Sequence, residues 1–267
     1  MKKLSIFAAV LAALAFTACG GNKGAQTAAE SDSLKSFEQE QVEAKIKMEL
    51  DSLAAEVGKL KNLPFMETGD KGLKLTDQEK KVKPTYLLDP AIAENATTLA
   101  EKYRLLSALS VDKNIAALYD MPTDAYEAAI SKLAADINDP SFKAIENAST
   151  LFETSTTLYD AMSENGRINY FWQLASAALV EQLYVVEKNS DKFLSVFDDN
   201  AAANVSFRIV LILDAVNRLA QYDPEVKPIA EALAPLDVLN ATTVAELKNQ
   251  LGEADEKIEA ARKALVK

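Results

Sequence analysis

Ile168–Val186 has the sequence INYFWQLASAALVEQLYVV, and its apolar side chains would point in every direction around a helix. A helix that is apolar on all sides lies in the middle of a protein or in a membrane. Gln173 and Glu181 interrupt the stretch, which makes it unsuited to a bilayer core. We therefore expect Ile168–Val186 to form a central helix that other helices surround.

A second apolar stretch, Val205–Leu213 (VSFRIVLIL), predicts another central helix. It is too short for a membrane span, which needs about 20 residues, and it contains Arg208. Glu181 and Arg208 thus lie in the two most apolar stretches. Because desolvating an unpaired charge costs several kcal/mol, each needs a partner. We expect them to form a structural ion pair with each other or with near neighbours such as Asp214.

Three consecutive aromatic residues, Tyr170-Phe171-Trp172, span about 200° of a helix surface. They must therefore reach at least two interfaces, or a groove. Core packing is the interpretation that we favour. The alternative is a site in which Tyr170, Trp172 and Tyr184 hold an apolar or aromatic ligand. A cavity of several hundred Å³ beside Trp172 would favour that site, whereas a packed core with an exposed apolar patch would favour a macromolecular partner.

Helical periodicity extends along nearly the whole chain. The first helix, about 31–62, and the last, about 244–266, each carry one apolar stripe. The two stripes are Ile46, Leu50, Leu53, Val57 and Leu60, and then Val244, Leu247, Leu251, Ile258 and Leu265. Thr243 and Glu246 form a capping box at the start of the last helix. These terminal helices either cover the central body, which we favour, or pair as an antiparallel coil.

Other helix starts are marked by capping residues and prolines, and strand signals are lacking. The starts are Asp89-Pro90, Asp112, Thr123, Asp139-Pro140, Asn200 and Asp223-Pro224, with a turn at Gly166. Residues 63–89 form the one long irregular stretch, which either provides a functional surface or wraps the bundle. The sequence therefore predicts an all-α fold, a single bundle of nine or ten helices with two central apolar helices.

Composition excludes several classes of function. The 267 residues include no histidine and one cysteine, Cys19, which removes histidine-based catalysis and histidine-ligated metals. The eight glycines form no phosphate-binding loop. We therefore predict no catalytic, metal or cofactor site, and a protein that is not an enzyme.

The net charge disfavours nucleic acid as a partner. Without Lys2 and Lys3, 27 of the 29 basic side chains remain against 40 acidic ones, which gives a net charge of −13.

The first residues have the parts of an export signal. Lys2 and Lys3 precede the apolar stretch Leu4–Phe16, and Phe16–Gly21 (FTACGG) resembles a lipobox, with Phe16 where an aliphatic residue is usual. The only cysteine of the chain, Cys19, would then carry a diacylglycerol. The alternative is an ordinary secretory signal with a chance cysteine. The predicted division is a cleaved signal at 1–18, a flexible tether at 19–30 and a helical domain at 31–267, consisting of the helix 31–62, the loop 63–89 and the bundle 90–267.

The anchor would have to hold this acidic protein at a membrane, because its charge does not favour anionic lipid. In lipoproteins of Bacteroidota that it resembles, acidic residues directly after the cysteine favour display on the cell surface. In this chain the first acidic residue is Glu30, and Lys23 precedes it. We therefore expect lipid anchoring in the cell envelope, at the outer membrane and facing the periplasm.

Two segments, Glu101–Tyr119 and Leu158–Val186, resemble a family of uncharacterised, all-helical lipoproteins of Bacteroidota. The matching residues are Tyr103, Arg104, Asp112, Ala117-Leu118-Tyr119, Glu181, Leu183 and Tyr184. A glycine pair and a tryptophan of the family pattern are replaced by Ala177-Ala178 and Leu179. The resemblance implies an all-helical fold and an envelope location, and it implies no activity.

Two short patterns, Asp32-Ser33-Leu34 and Asp51-Ser52-Leu53, resemble the O-glycan acceptor of Bacteroidota envelope proteins. They make Ser33 and Ser52 candidates for glycosylation. Overall, the sequence predicts a lipid-anchored, non-enzymatic envelope protein that binds a protein or envelope partner. The alternative is a small-molecule-binding protein that holds a ligand between its central helices.

Overall fold

The computed structural model describes residues 40–42, 44–67, 72–145 and 154–266, and Ala44–Lys267 form one compact unit. The residues described are helical or irregular and include no strand, which confirms the predicted all-α fold. The predicted signal and tether, with Cys19 and the candidate acceptor Ser33, lie outside the described residues.

The described chain contains helices of two kinds, α and 3-10. In chain order, the α-helices are α1 (44–51), α2 (Ala54–Val57), α3 (Leu99–Leu118), α4 (Asp124–Ile137), α5 (Ser155–Glu164), α6 (Ile168–Lys188), α7 (Ser190–Phe193), α8 (Asp199–Leu219), α9 (Lys227–Leu233), α10 (Val244–Glu253) and α11 (Asp255–Leu265). Residues 40–42 are also helical. Short 3-10 helices cover Pro64–Met66, Glu79–Lys81, Pro90–Asn95, Pro140–Ile145, Leu194–Val196 and Ala234–Val238.

Helix α6 is the central helix that its sequence predicts. Seventeen of its 21 residues are buried, because α3, α5, α8, α10 and α11 pack around it. The turn before it contains Gly166 with φ +66°, a conformation that favours glycine, as the sequence indicates. The second apolar stretch is part of the longer helix α8, which packs against α6 and reaches solvent at Val210, with 58% of that residue exposed.

Both terminal helices differ from the prediction because each is interrupted. The first breaks at Ser52-Leu53, where the Leu53 N–H donates to Leu50 O in a tight turn, and α2 ends at Val57. The last breaks at Ala254, whose φ of −107° and ψ of 9° depart from helical values. The first stripe remains buried, as do Leu247, Leu251, Ile258 and Leu265 of the second. Each terminal segment therefore packs on the body, as we favoured.

The predicted helix start at Asp112 is wrong. Asp112 lies in the middle of α3 and is fully buried. Its carboxylate accepts a hydrogen bond from Leu88 N–H, and not from the first turn of a helix as a capping residue would. The predicted start at Asp89-Pro90 is confirmed, because Asp89 caps the 3-10 helix Pro90–Asn95. The longer helix α3 starts after Thr98, which forms a capping box with Glu101. The capping box of Thr243 and Glu246 is confirmed.

The capping boxes allow a prediction. We expect Thr98→Ala and Thr243→Ala each to lower the free energy of unfolding by about 1 kcal/mol, because each removes an acceptor for a first-turn N–H. Thr123→Ala is the matched control, since the Thr123 side chain makes no such bond at the start of α4. Urea denaturation measures all three, and equal losses would show that the caps do not act as described.

Candidate functional site

Three buried charged side chains from distant parts of the chain meet beside α6. The guanidinium of Arg262 on α11 donates to Glu181 on α6, with Nε 2.8 Å from Oε2 and Nη2 2.6 Å from Oε1. The same Nη2 lies 3.8 Å from Oδ2 of Asp112 on α3. The exposed fraction is 0% for Asp112, 1% for Glu181 and 13% for Arg262. We call these three residues, with Tyr86 and Tyr184, the Arg262 centre.

Backbone and aromatic groups complete the Arg262 centre. Arg262 Nη2 also donates to Tyr86 O at 3.1 Å, and the guanidinium lies 4.0 Å from the ring centroid of Tyr184. Leu88 N–H donates to Asp112 Oδ2 at 2.7 Å, while Leu88 O accepts from the hydroxyl of Tyr126 on α4 at 2.8 Å. The end of the irregular stretch is thereby bound to three helices, α3, α4 and α11, so this part of it wraps the bundle.

Burial dominates the electrostatics of the Arg262 centre. Desolvation, with the nearby Glu181 charge, raises the pKa of Asp112 well above its ordinary value, against the opposing effects of Leu88 N–H and Arg262. For Arg262, desolvation lowers the pKa, but the hydrogen bonds and charge of Glu181 outweigh it and the pKa is raised. Burial, then the charge of Asp112, raises the pKa of Tyr126 to about 12.

The predicted partner of Glu181 is wrong, although Glu181 and Arg208 are both buried as predicted. Glu181 pairs with Arg262, 81 residues away, whereas Arg208 donates to Asn204 Oδ1 at 2.8 Å and to Gln182 Oε1 at 3.3 Å. Desolvation lowers the pKa of Arg208 to about 9. Asp214 forms its ion pair with Arg218, one helical turn away on α8. The sequence prediction considered Arg208 and near neighbours such as Asp214, whereas the packing of α11 against α6 brings Arg262 to Glu181.

The aromatic residues of α6 point to different sides, as predicted. Trp172 and Phe171 are fully buried, and both form edge-to-face contacts with Tyr159 on α5. Tyr170 stacks on Tyr103 of α3, with 4.6 Å between ring centroids, and Tyr184 lies against Arg262. Neighbouring rings therefore surround Trp172 as core packing. This arrangement gives no support to a ligand beside Trp172.

Three cavities lined by described residues lie away from Trp172. Two of them adjoin residues 77–83, which belong to the irregular stretch. One has a volume of about 440 Å³ and is lined by Glu79, Val82, Tyr119, Asn189, Asp191 and Lys192. The other has about 460 Å³ and is lined by Asp77, Lys80, Lys81, Lys83 and Asp120. A third, of about 360 Å³, lies between residues 58–67 and the start of α5. We call residues 77–83, 119–120 and 189–192 together the 77–83 surface.

Ion pairs fasten the 77–83 surface to the bundle. Lys192 pairs with Glu79, and these contacts with the hydrogen bonds from Thr76 hold the pKa of Glu79 at about 2. Lys80 Nζ lies 2.9 Å from Asp120 Oδ2. Lys83 donates to Tyr119 O at the carboxyl end of α3, where a cation is favoured. Between these charged groups, 76% of Val82 is exposed.

Ser52 follows α1 and is exposed, and its hydroxyl donates to Glu49 O at 3.3 Å. Among the residues that the structure describes, no group of three or more metal-ligating side chains is arranged to hold an ion. Within the same residues, no helix has the length and hydropathy needed to cross a bilayer. No family model, curated protein or solved structure matches the chain.

The Arg262 centre predicts a large effect of one substitution. Glu181→Gln keeps the shape of the side chain but removes the carboxylate that accepts both close contacts of Arg262, and it leaves Asp112, 3.8 Å away, as the nearest counter-charge. We therefore expect the free energy of unfolding to fall by about 1.5–3 kcal/mol. Asp214→Asn is the matched control, because the Asp214–Arg218 pair is largely exposed and should contribute at most about 1 kcal/mol. Thermal and urea unfolding measure both; similar small losses would contradict a buried charge at Glu181.

Proposed function

We propose that the protein is a lipid-anchored, non-enzymatic component of the cell envelope whose helical domain binds a protein or envelope partner. The N-terminal sequence supports the anchor, since an apolar stretch of 13 residues leads to the only cysteine of the chain. Two or more acyl chains at Cys19 would hold the acidic domain beside a membrane without any electrostatic attraction to lipid.

The location of the carboxylates supports a non-enzymatic role. In a chain without histidine, acid–base catalysis would rely on Asp and Glu pairs, and Asp112 and Glu181 form such a pair. Their exposed fractions are 0% and 1%, and Arg262 donates hydrogen bonds to both carboxylate oxygens of Glu181. A substrate must come within hydrogen-bonding distance of a catalytic group, and this pair is closed to it.

The observation that carries the partner-binding proposal is the exposure of Val82 on the 77–83 surface. Val82 has the largest exposed fraction, 76%, among the exposed large apolar residues described, and it lies beside the cavity that Tyr119 lines. Protein interfaces combine an apolar centre with a polar rim. Glu79, Asp191 and Lys192 line this cavity together with Val82 and provide charged groups beside it. Lys80, Lys81 and Lys83 are near neighbours of Val82 in the sequence.

The anchor is tested by Cys19→Ser. We expect the native protein to be processed to Cys19, to fractionate with membranes and to have the mass of the polypeptide plus lipid, because thioether acylation requires the thiol. The serine variant should stay unprocessed. Processing and membrane association of that variant like the parent would overturn the anchor. In the same spectra, a native mass equal to polypeptide plus lipid would exclude O-glycans at Ser33 and Ser52.

The partner surface is tested by a photo-crosslinking amino acid at position 82 in living cells. We expect one discrete adduct, because Val82 would be covered by the partner. Position 238 is the matched control, since Val238 is also an exposed valine, at 46%, and lies outside the 77–83 surface. Adducts of equal yield at both positions, or none at position 82, would contradict the proposed surface.

A further inference from the structure

The Arg262 centre contains two carboxyl groups but one guanidinium. We propose that the Asp112 carboxyl holds a proton beside Glu181 at neutral pH, and that loss of this proton at alkaline pH weakens the attachment of α11 to α3 and α6. This proton makes the Arg262 centre a pH-sensitive latch, a contact that holds α11 in place only while Asp112 is protonated. This inference is independent of the lipid anchor and of the 77–83 surface.

Charge balance is the first argument for the proton. The side chains of Asp112, Glu181 and Arg262 are 0%, 1% and 13% exposed, so water provides little screening for any of them. If both carboxyls were ionised, one negative charge would remain without a partner inside the protein, at a large desolvation cost. One proton makes the three groups neutral together.

Hydrogen bonding locates the proton on Asp112. Glu181 accepts the close contacts of Arg262, at 2.6 and 2.8 Å, as an ionised carboxylate does. Asp112 Oδ2 accepts from Leu88 N–H, whereas the buried Oδ1 has no hydrogen-bond partner among the described residues. The Glu181 carboxylate lies near enough to Asp112 for its charge to raise the pKa of Asp112. A proton on Oδ1 would turn this unpaired oxygen into a hydrogen-bond donor beside a carboxylate.

The surrounding groups leave Asp112 as the member that changes charge. Titratable and charged side chains face Asp112, or its neighbours in the Arg262 centre, from the segment before α3, from the end of α3, and from α4, α6 and α11. They are Tyr86, Asp89, Tyr119, Tyr126, Glu181, Tyr184, Lys188 and Arg262. Burial raises the pKa values of Tyr86 and Tyr126, so both stay neutral well above pH 7. Arg262 stays charged because its pKa is raised.

The direction of the pH effect follows from linkage. The folded pKa of Asp112 is raised above its unfolded value near 3.8, so the folded state binds more protons in the range between the two. The stability that depends on this proton is complete below the unfolded pKa and is lost as pH rises through the folded pKa. Arg262 ties α11 to Glu181 and Tyr86, so the loss should loosen α11 first.

The experiment measures unfolding equilibrium constants in urea from pH 5 to pH 9 for three proteins. In the parent, the Asp112 proton should raise the unfolding constant by up to about tenfold per pH unit below its folded pKa. Asp112→Asn should lack this component, because the amide is a permanent neutral mimic of the protonated carboxyl. Asp160→Asn is the matched control on the exposed face of α5 and should keep the parental slope. The same slope in Asp112→Asn and the parent would overturn the proposal.

A second measurement does not depend on any variant. The carboxyl carbon of Asp112 in the isotope-labelled parent should show the chemical shift of a protonated acid at pH 7. Amide hydrogen exchange, corrected for its intrinsic pH dependence, should show α11 opening more readily as this group ionises. An ionised Asp112 at pH 7 would also overturn the proposal. So would amide exchange rates in α11 that do not change when Asp112 ionises.

Discussion

The burial of two carboxyl groups and one guanidinium at a single point constrains the whole bundle. Asp112, Glu181 and Arg262 come from α3, α6 and α11, and the segment before α3 adds backbone groups of Tyr86 and Leu88. Apolar burial provides the driving force for packing these helices, but it tolerates sliding of one helix along another. A buried ion pair does not, because a shift would leave a charge without its partner. The Arg262 centre therefore selects one register for three helices.

The irregular stretch connects this interior to the surface. Its end supplies Tyr86 and Leu88 to the Arg262 centre, and a few residues earlier it exposes Val82. Between these points, Lys83 donates to a backbone carbonyl at the carboxyl end of α3. An exposed apolar side chain on a mobile loop would lose conformational entropy on binding. Contacts on both sides of Val82 would reduce that cost for the partner proposed above.

Local signals in the sequence were sufficient for much of the fold. The apolar stretch of α6, the turn at Gly166 and the capping box of Thr243 each depend on neighbours within a few residues, and the structure confirms them. Asp112 is different, since an aspartate resembles a helix cap until tertiary packing buries it. Arg262 had a weaker signal. It lies between Ile258 and Leu265 on the stripe of α11, where a charge needs a buried partner. The resemblance pointed at Asp112, Glu181 and Tyr184 without showing that they meet.

The break at Ala254 separates two helices that pack against partly different neighbours. A continuous helix over 244–266 would be straight for about 34 Å and would direct its stripe along one line. The chain instead places α10 against α6 and α8, and α11 against α3, α6 and α9. Ala254 is fully buried between the two helices, and its N–H donates to Gln250 O and Leu251 O. In the first turn of α11, Glu256 N–H donates to the Asp255 side chain. Beyond the break, α11 places the guanidinium of Arg262 against the carboxylate of Glu181.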